Sequence, residues 1–405
     1  MSRKSEQRLI SGHAWDDFCD QLKAAGHIID DFNDIPSDQD RAEWYRFLSR
    51  LTRNGFERFL ENCEPERPRL RDAPWRQSIN FQNPDQDHFL SEFIDGSHDY
   101  IIRGNRGTLP YFVIAVWSAP QPHDLGEKNW SQTGLSGLKE FDPSNLSTTS
   151  FLMSNNINFD KDENFEVIVS QKKSDGDWLL LSPDSTGILI RTVHHNREKE
   201  IAPKFSIERI DQPIPQPIRA DQISEGLAKT AQAVFGYANL VRDWWFNNLS
   251  QRPNTIVFSE ATYLSNGGVL DRLHGFGSWN KPKDQALVIE FTPPQCEFWI
   301  LQICNIWQEN LDCYENGQGY INKFTAQNQA NGLVRAIISD KDTNIFGCNW
   351  INSYQHEKGT FSLRFIKSKN GADIKIFQVK LAELDSQGLS VLKGLNPIKS
   401  GRVTK

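Results

Sequence analysis

The stretch DQALVIEFTPPQCEFWILQICNIW, Asp284 to Trp307, reads as two β-strands joined by a Pro-Pro turn. In the second strand Trp299, Leu301, Ile303, Asn305 and Trp307 fall on one face, because strand side chains alternate with a period of two. Ile300, Gln302, Cys304 and Ile306 fall on the other. Both faces are largely apolar, so the strand is expected to be covered on both sides. Gln302 and Asn305 then sit inside, one per face. A buried amide without partners costs on the order of 1–3 kcal/mol, so backbone, water or a ligand has to satisfy them.

The chain around this stretch has 405 residues and a net charge of −7. Acids and bases are mixed along it, which argues against a nucleic-acid partner. Its 12 Trp and 25 Phe compensate for a modest apolar fraction, since each ring buries about 150–250 Å². No apolar run approaches the ~20 residues needed to span a bilayer, so no membrane partner is expected. The N-terminal Met-Ser-Arg-Lys-Ser-Glu-Gln-Arg is not followed by an apolar segment, which reads as no signal peptide and a cytoplasmic location. The six cysteines form no C-x-x-C pair and are expected as free thiols. Homo-oligomerisation is left open.

Helical spacing predicts helices over His13 to Phe32 and Asp40 to Cys63, with Ser37 to Asp40 as an N-cap region. Strand patterns follow at Tyr100 to Arg103, Pro110 to Trp117, Phe165 to Ser170 and Gly187 to Val193. Ser118 to Ser150 is polar and reads as a long loop. The alternate prolines of Gln212-Pro213-Ile214-Pro215-Gln216-Pro217 suit a linker. Beyond it the pattern predicts a long helix, Ile223 to Leu249, then strands at Ala286 to Glu290, Phe298 to Trp307, Val334 to Ser339, Phe361 to Ile366 and Ile374 to Val379. The expected units are a helical region over 1–75, a β-rich domain over 76–215, and a long helix with a second β-rich domain over 216–405.

The two β-rich regions echo each other. Tyr111 to Trp117, Val167-Ile168-Val169-Ser170, Asp177-Trp178 and Ile188 to Arg191 follow a helix in the first. Leu301 to Trp307, Ala336-Ile337-Ile338-Ser339, Asn349-Trp350 and Phe361 to Arg364 follow one in the second. The order Trp, Ser, Trp, Arg is kept, which suggests an internal duplication. The expected class is therefore α+β: N-terminal helices plus two related antiparallel β-sandwich-like domains.

Several blocks also resemble a known family. These are Asp40 to Leu48, Asn83-Pro84-Asp85, Arg103 to Tyr111, Asp177-Trp178 with Arg191, Thr292 to Cys296 with Trp299 and Gln302, and Asn349 to Asn352 followed by His356 and Gly359. The chain resembles the bacterial family known as domain of unknown function 1214, over most of its length. The resemblance implies N-terminal helices and two β-rich domains, and implies no reaction. Gln308-Glu309-Asn310 departs from the expected Met-Glu-Ser, and Asn352 stands where an Asp is usual.

If the halves began alike, their differences mark where roles diverged. The first copy runs from Trp117 into Ser118-Ala119-Pro120, the second into Gln308-Glu309-Asn310-Leu311-Asp312. Glu309 and Asp312 with Tyr314 nearby could divide acid and base work, and His356 suits a proton carrier near neutral pH. A solvated turn and a structural histidine are the plain alternatives. Gln302, Asn305, Trp307, Asn349 and Arg364 are the expected ligand contacts. Arg191 and Arg364 are otherwise read as structural partners of carboxylates, and Arg103 and Arg106 as a turn that could hold an anion. His194 and His195 point to opposite strand faces and so do not predict a metal site. No cofactor or metal is expected. The reading is a cofactor-independent enzyme using carboxylate and His chemistry on a small or sugar-like molecule. The alternatives are a non-catalytic binder of a small molecule and a structural or assembly protein.

Overall fold

The computed structural model describes the chain except residues 1–2, 33–36, 73–82, 123–129, 145, 215, 266–267, 271, 312–317, 369, 402 and 405. Helices come first: α1 (Arg3–Ile10), α2 (His13–Gly26) and α3 (Asp38–Phe56). The Ser37 side chain caps α3 by accepting from the Asp40 N–H, as Ser at an N-cap does. Strands β1 (Arg71–Asp72), β2 (His88–Ser91), β3 (Tyr100–Asn105) and β4 (Tyr111–Ser118) follow, then α4 (Trp130–Lys139). β5 (Ser147–Met153), β6 (Asn164–Ser170), β7 (Trp178–Leu180), β8 (Gly187–Val193) and β9 (Lys204–Arg209) complete the first β-rich half. The described residues between β9 and the long helix α5 (Ala220–Trp244) have no regular structure, as alternate prolines dictate.

The second half holds β10 (Thr255–Ser259), α6 (Glu260–Leu264), β11 (Arg272–Asn280), β12 (Gln285–Phe291), β13 (Phe298–Cys304) and β14 (Tyr320–Asn322). It continues with β15 (Val334–Ser339), β16 (Asn349–Asn352), β17 (Lys358–Ile366), β18 (Ile374–Lys380), α7 (Leu381–Gln387), β19 (Ile398–Ser400) and β20 (Val403–Thr404). The Pro-Pro segment carries the chain between two different sheets, because β12 and β13 belong to opposite layers.

The order of strands is the same in both halves. Sheet A contains β2-β8-β4-β5 and sheet D contains β11-β17-β13-β14; sheet B is β7-β6-β3-β9 and sheet E contains β16-β15-β12-β18. A parallel pair recurs at the equivalent place, β6/β7 in sheet B and β15/β16 in sheet E. Both long helices, α3 and α5, run into a π-turn, Glu57–Glu61 and Trp245–Leu249. Sheets A and B enclose one apolar core, in which Phe112, Ile114 and Val116 meet Ile102, Val167 and Val169. Sheets D and E enclose a second, in which Trp299, Leu301 and Ile303 meet Leu287, Ile289 and Ile338.

The outer faces of A and D then pack on each other. Their contact cluster is Tyr111, Val113 and Val193 against Phe298, Ile300 and Ile366. Register makes these three pairs of equivalents: Tyr111 lies opposite Val193 as Phe298 lies opposite Ile366, and Val113 opposite Arg191 as Ile300 opposite Arg364. The four sheets thus form layers in the order B, A, D, E.

The helices make a third core. α2, α3 and α5 pack together, so the long helix joins the N-terminal helices rather than the sandwich that follows it. Trp307 enters this core, its ring centroid 4.8 Å from Trp44 and 5.0 Å from Phe32. Two expectations fail here. The polar stretch 118–150 contains α4 and β5, not only loop. The strand expected to reach Trp307 stops at Cys304. Asn305 ends it: its Oδ1 accepts from the Trp307 and Glu309 N–H groups, both at 3.0 Å, an Asx-type turn. Ile306 and Trp307, expected on opposite faces, therefore lie in the same helical core.

Candidate functional site

The expected site residues separate into different places. Asp312 and Tyr314 lie outside the described residues. Gln302 is buried on β13 between Tyr320 and Ser362 of the flanking strands, and its Nε2 lies 3.8 Å from the Cys304 sulfur. Asn349 is structural: its Oδ1 accepts from the Gln327 N–H at 2.7 Å, and its Nδ2 donates to the Gln327 and Arg335 carbonyls. Trp307 donates its indole N–H to the Asp40 carbonyl at 2.9 Å.

His356, Asn305 and Glu309 do meet, in a buried network under α3. His356 Nε2 lies 2.9 Å from Glu43 Oε2, and Asn305 Nδ2 donates to the same oxygen at 2.8 Å. Asn305 also reaches Glu309 at 3.3 Å, and Arg50 closes on Glu309 at 2.5 Å. Burial disfavours the imidazolium, but the Glu43 hydrogen bond and charge outweigh it and raise the His356 pKa above its ordinary value. Burial raises the carboxyl of Glu309, with Arg50 opposing. Both acids are thus consumed by fixed partners. Of the groups that the sequence suggested for acid–base work, Glu309 and His356 join α3 to the second sandwich through Arg50 and Glu43.

Arg364 leads elsewhere. With Arg191, its equivalent, it lines a cavity of about 150 Å³ between the two sandwiches and the long helix. A cavity of that size admits a benzene-sized molecule. Arg191 on β8 lies opposite His88 on β2 and donates Nε–H to His88 Nε2 at 3.1 Å. Arg364 on β17 lies opposite His274 on β11 and donates Nε–H to His274 Nε2, also at 3.1 Å. Each sandwich therefore contributes one His–Arg pair from the same topological position.

A guanidinium has donors only, so each imidazole must accept at Nε2 and carry its proton on Nδ1. Burial, reinforced by Arg364 and Arg191, holds the pKa of His88 and His274 well below the ordinary histidine range. Both rings are neutral hydrogen-bonding supports, unsuited to taking up a proton at neutral pH.

The acid expected beside Arg191 is not found among the described residues. Among the described residues neither Arg191 nor Arg272 has a carboxylate within ion-pair distance. Arg272 donates to the Tyr111 hydroxyl at 2.5 Å, and both arginines hydrogen-bond the Tyr263 hydroxyl. Burial together with Arg191 pushes Arg364 down to about 10, against the pull of Tyr263 and Asp85. Burial alone would raise the Tyr263 phenol; Arg272, Arg191 and Arg364 together hold it below its usual value. The arginines of the Gly104 to Gly107 turn behave differently. Arg103 pairs with Glu166 and Glu208, and Arg106 with Glu163, so the turn that could have held an anion is neutralised by the chain's own acids.

Two further donors face the cavity. Gln308 Nε2 and Trp117 Nε1 are buried with no hydrogen-bond partner among the described residues. Gln308 is held at φ 64°, a conformation uncommon for residues other than glycine. Arg58 also lines the cavity, but Glu92 neutralises it at 3.4 Å. The remaining wall is largely apolar, with Leu90, Pro120, Leu240, Trp244 and Phe276, and also includes Ser91, Glu92, Gln121 and Thr186. The consecutive rings at the end of the long helix divide as their helical angles require: Trp244 faces the cavity, Trp245 the helical core, and Phe246 stacks near Phe32 at 4.7 Å.

The sequence reading named Arg364 as a ligand contact, took Arg191 only as a structural partner of a carboxylate, and named neither histidine. His274 lies on β11, whose run Arg272-Leu273-His274-Gly275-Phe276-Gly277 hides the strand signal behind two glycines. Both are needed for close packing: a Cβ on Gly277 would lie 1.7 Å from the Thr255 carbonyl oxygen, and one on Gly275 would meet Ile256 and Phe258 at 2.7 Å. The repeat would have located the missing pair, since each Arg implied a partner on the neighbouring strand. His194 and His195 occupy unlike surroundings: His194 sits between Asp87 and Glu200, and His195 stacks on Phe324.

No protein-family profile and no curated protein sequence matches the chain. Among solved structures it is similar to a putative uncharacterized protein from Burkholderia cenocepacia, with a TM-score of 0.83 and 28% identity. That match covers 94% of this chain and 100% of the other. A second similarity, to the VPA0106 protein from Vibrio parahaemolyticus, has a TM-score of 0.43 and 10% identity, over 80% of this chain and 94% of that one. Among the described residues no helix is long and apolar enough to cross a membrane. The chain is thus an α+β protein that shares its architecture with the Burkholderia cenocepacia protein across nearly the whole of both chains.

Proposed function

We propose that the chain binds a small organic anion, a carboxylate with an apolar body, in the cavity between its two sandwiches. The observation that carries this is the half-buried guanidinium of Arg191, hydrogen-bonded to a neutral imidazole and a phenol but to no carboxylate among the described residues. A buried charge is stable only when paired, and a guanidinium fork matches a carboxylate in plane and spacing. Gln308 and Trp117 add donors that have no acceptor among the described residues, and the largely apolar wall suits a hydrocarbon or aromatic body.

We also infer that both halves derive from one ancestral unit of a helix and a sandwich, and that the chain belongs with the domain of unknown function 1214 family it resembles. The shared strand order and the three equivalent pairs of the A–D contact support the first inference. A second reading is catalytic. It rests on Tyr263, whose lowered pKa among three guanidiniums suits proton transfer to or from a bound anion.

Calorimetric titration with benzoate, a short straight-chain carboxylate and inorganic phosphate tests the binding. The expected result is one site, filled best by a carboxylate, and an affinity about 10–100-fold lower for Arg191→Met, the loss of one or two charged hydrogen bonds. Absence of binding by any of these anions, or equal affinity in Arg191→Met, would overturn it. A change in the mass of the bound anion, abolished by Tyr263→Phe, would select the catalytic reading.

A further inference from the structure

Outside the cavity, one cluster of side chains is arranged as metal ligands are. Asp40 and Glu43 lie three residues apart near the start of α3, so their side chains share a face. His356 reaches the same place from the turn between β16 and β17. One donor atom from each lies within 4.8 Å of the others, and all three residues are buried. Asp40 Oδ1 has no hydrogen-bond partner among the described residues, although Asp40 is only 3% exposed. A carboxylate oxygen left so is costly to bury, and it points to something the hydrogen bonds of the network do not supply.

The other polar atoms of the three residues are already held. Ser37 Oγ donates to Asp40 Oδ2 at 2.6 Å, Arg46 donates to Glu43 Oε1 at 3.1 Å, and His356 Nδ1 donates to the Ser353 carbonyl at 2.9 Å. Asn305 steadies Glu43 Oε2. Partners of this kind orient metal ligands and fix the tautomer of a metal-binding histidine. With Nδ1 protonated, His356 Nε2 aims its remaining valence at Glu43 Oε2, 2.9 Å away. That position holds a second proton or a metal ion. Two ligands on a tetrahedral ion with bonds of ~2.0–2.1 Å stand roughly 3.3 Å apart, so exchanging the proton for an ion shifts the pair by only a few tenths of an ångström.

We propose that Asp40, Glu43 and His356 bind one divalent transition-metal ion of the Zn²⁺ or Mn²⁺ class, at the junction of α3 and the second sandwich. One imidazole nitrogen with two carboxylate oxygens is a donor set for such ions, and water completes the coordination. Bound there, the ion clasps the N-terminal helices to the β16–β17 turn. This site is separate from the anion cavity and does not depend on it.

The test uses untagged full-length protein, treated with chelator, dialysed, and titrated with ZnCl₂ and MnCl₂ by calorimetry. Cobalt absorption is recorded in parallel. The expected result is one equivalent bound, a cobalt spectrum without a thiolate charge-transfer band, and affinity lowered about 10–100-fold in Asp40→Asn. Asp40→Asn keeps the shape and the Ser37 contact, so its melting without metal should match the parent. His356→Gln serves as the second variant and should abolish the cobalt spectrum. Failure of the parent protein to bind one equivalent, a thiolate band in the cobalt spectrum, or unchanged affinity in both variants would overturn the proposal.

Discussion

Substituting Asp85 by Asn should change how stability depends on pH, by an amount the structure sets. Asp85 lies in the loop before β2, where Asn322 Nδ2 donates to its Oδ2 at 3.5 Å and its Oδ1 has no partner among the described residues. Burial pushes its carboxyl up to about 7, against the charges of Arg197 and Arg364. In the unfolded chain an aspartate titrates near 3.9. Between those values the folded state binds more protons than the unfolded state, so stability falls as pH rises from about 4 to about 7 and levels off above. The difference is about 3 pH units at about 1.36 kcal/mol each, roughly 4 kcal/mol. Asparagine has the same shape and does not ionise. Asp85→Asn should therefore match the parent near pH 3, exceed it by about 1.5 kcal/mol at pH 5, and exceed it at pH 8 by up to about 4 kcal/mol. Urea unfolding followed by tryptophan fluorescence at pH 5, 6, 7 and 8 measures this. Other titrating groups are common to both proteins and cancel in the difference. A variant that loses stability with rising pH as steeply as the parent would refute the reasoning.

Three further outcomes follow from the same kind of argument. Arg50→Met leaves Glu309 buried without its guanidinium; about 3–5 kcal/mol should be lost at pH 7 in urea melts, and less as the pH is lowered, because burial raises the Glu309 carboxyl and a protonated acid needs no partner charge. Trp307→Ala removes a fully buried ring from the helical core and should cost about 3–5 kcal/mol by the same assay, with the helices loosening before the sandwiches in hydrogen exchange. Arg191→Met, the variant proposed to weaken anion binding, should raise the melting temperature of the ligand-free protein in calorimetry, because it removes a half-buried charge that has no acid beside it among the described residues.

The architecture was more legible in the sequence than the site. Strand β8 runs over Gly187–Val193 and β15 over Val334–Ser339, as their apolar runs predict, and α5 begins within a few residues of its expected start. These elements bury continuous apolar faces, which the sequence displays directly. The polar stretch 118–150 concealed α4 and β5 because both are rich in Ser, Thr and Gly, which blur the apolar period. Strand β11 was missed because Gly275 and Gly277 are present for close packing rather than for a turn. The residues singled out after β13 have a different place in the fold. A surplus of polar residues after β13 marked a real change between the halves, but Asn305, Glu309 and His356 use it to bind α3. The cavity arises only when sheets A and D pack together, and no local pattern records that Arg191 and Arg364 converge there.

The central claim is that the space between the two sandwiches holds an anion against Arg191 and Arg364. Diffraction from crystals soaked in bromide, collected at the bromine absorption edge, tests it most directly. The account predicts an anomalous peak inside the cavity in contact with those guanidinium groups, and its loss when the crystal is first soaked in a binding carboxylate. Bromide found only on the outer surface, with the cavity free of it, would contradict the account.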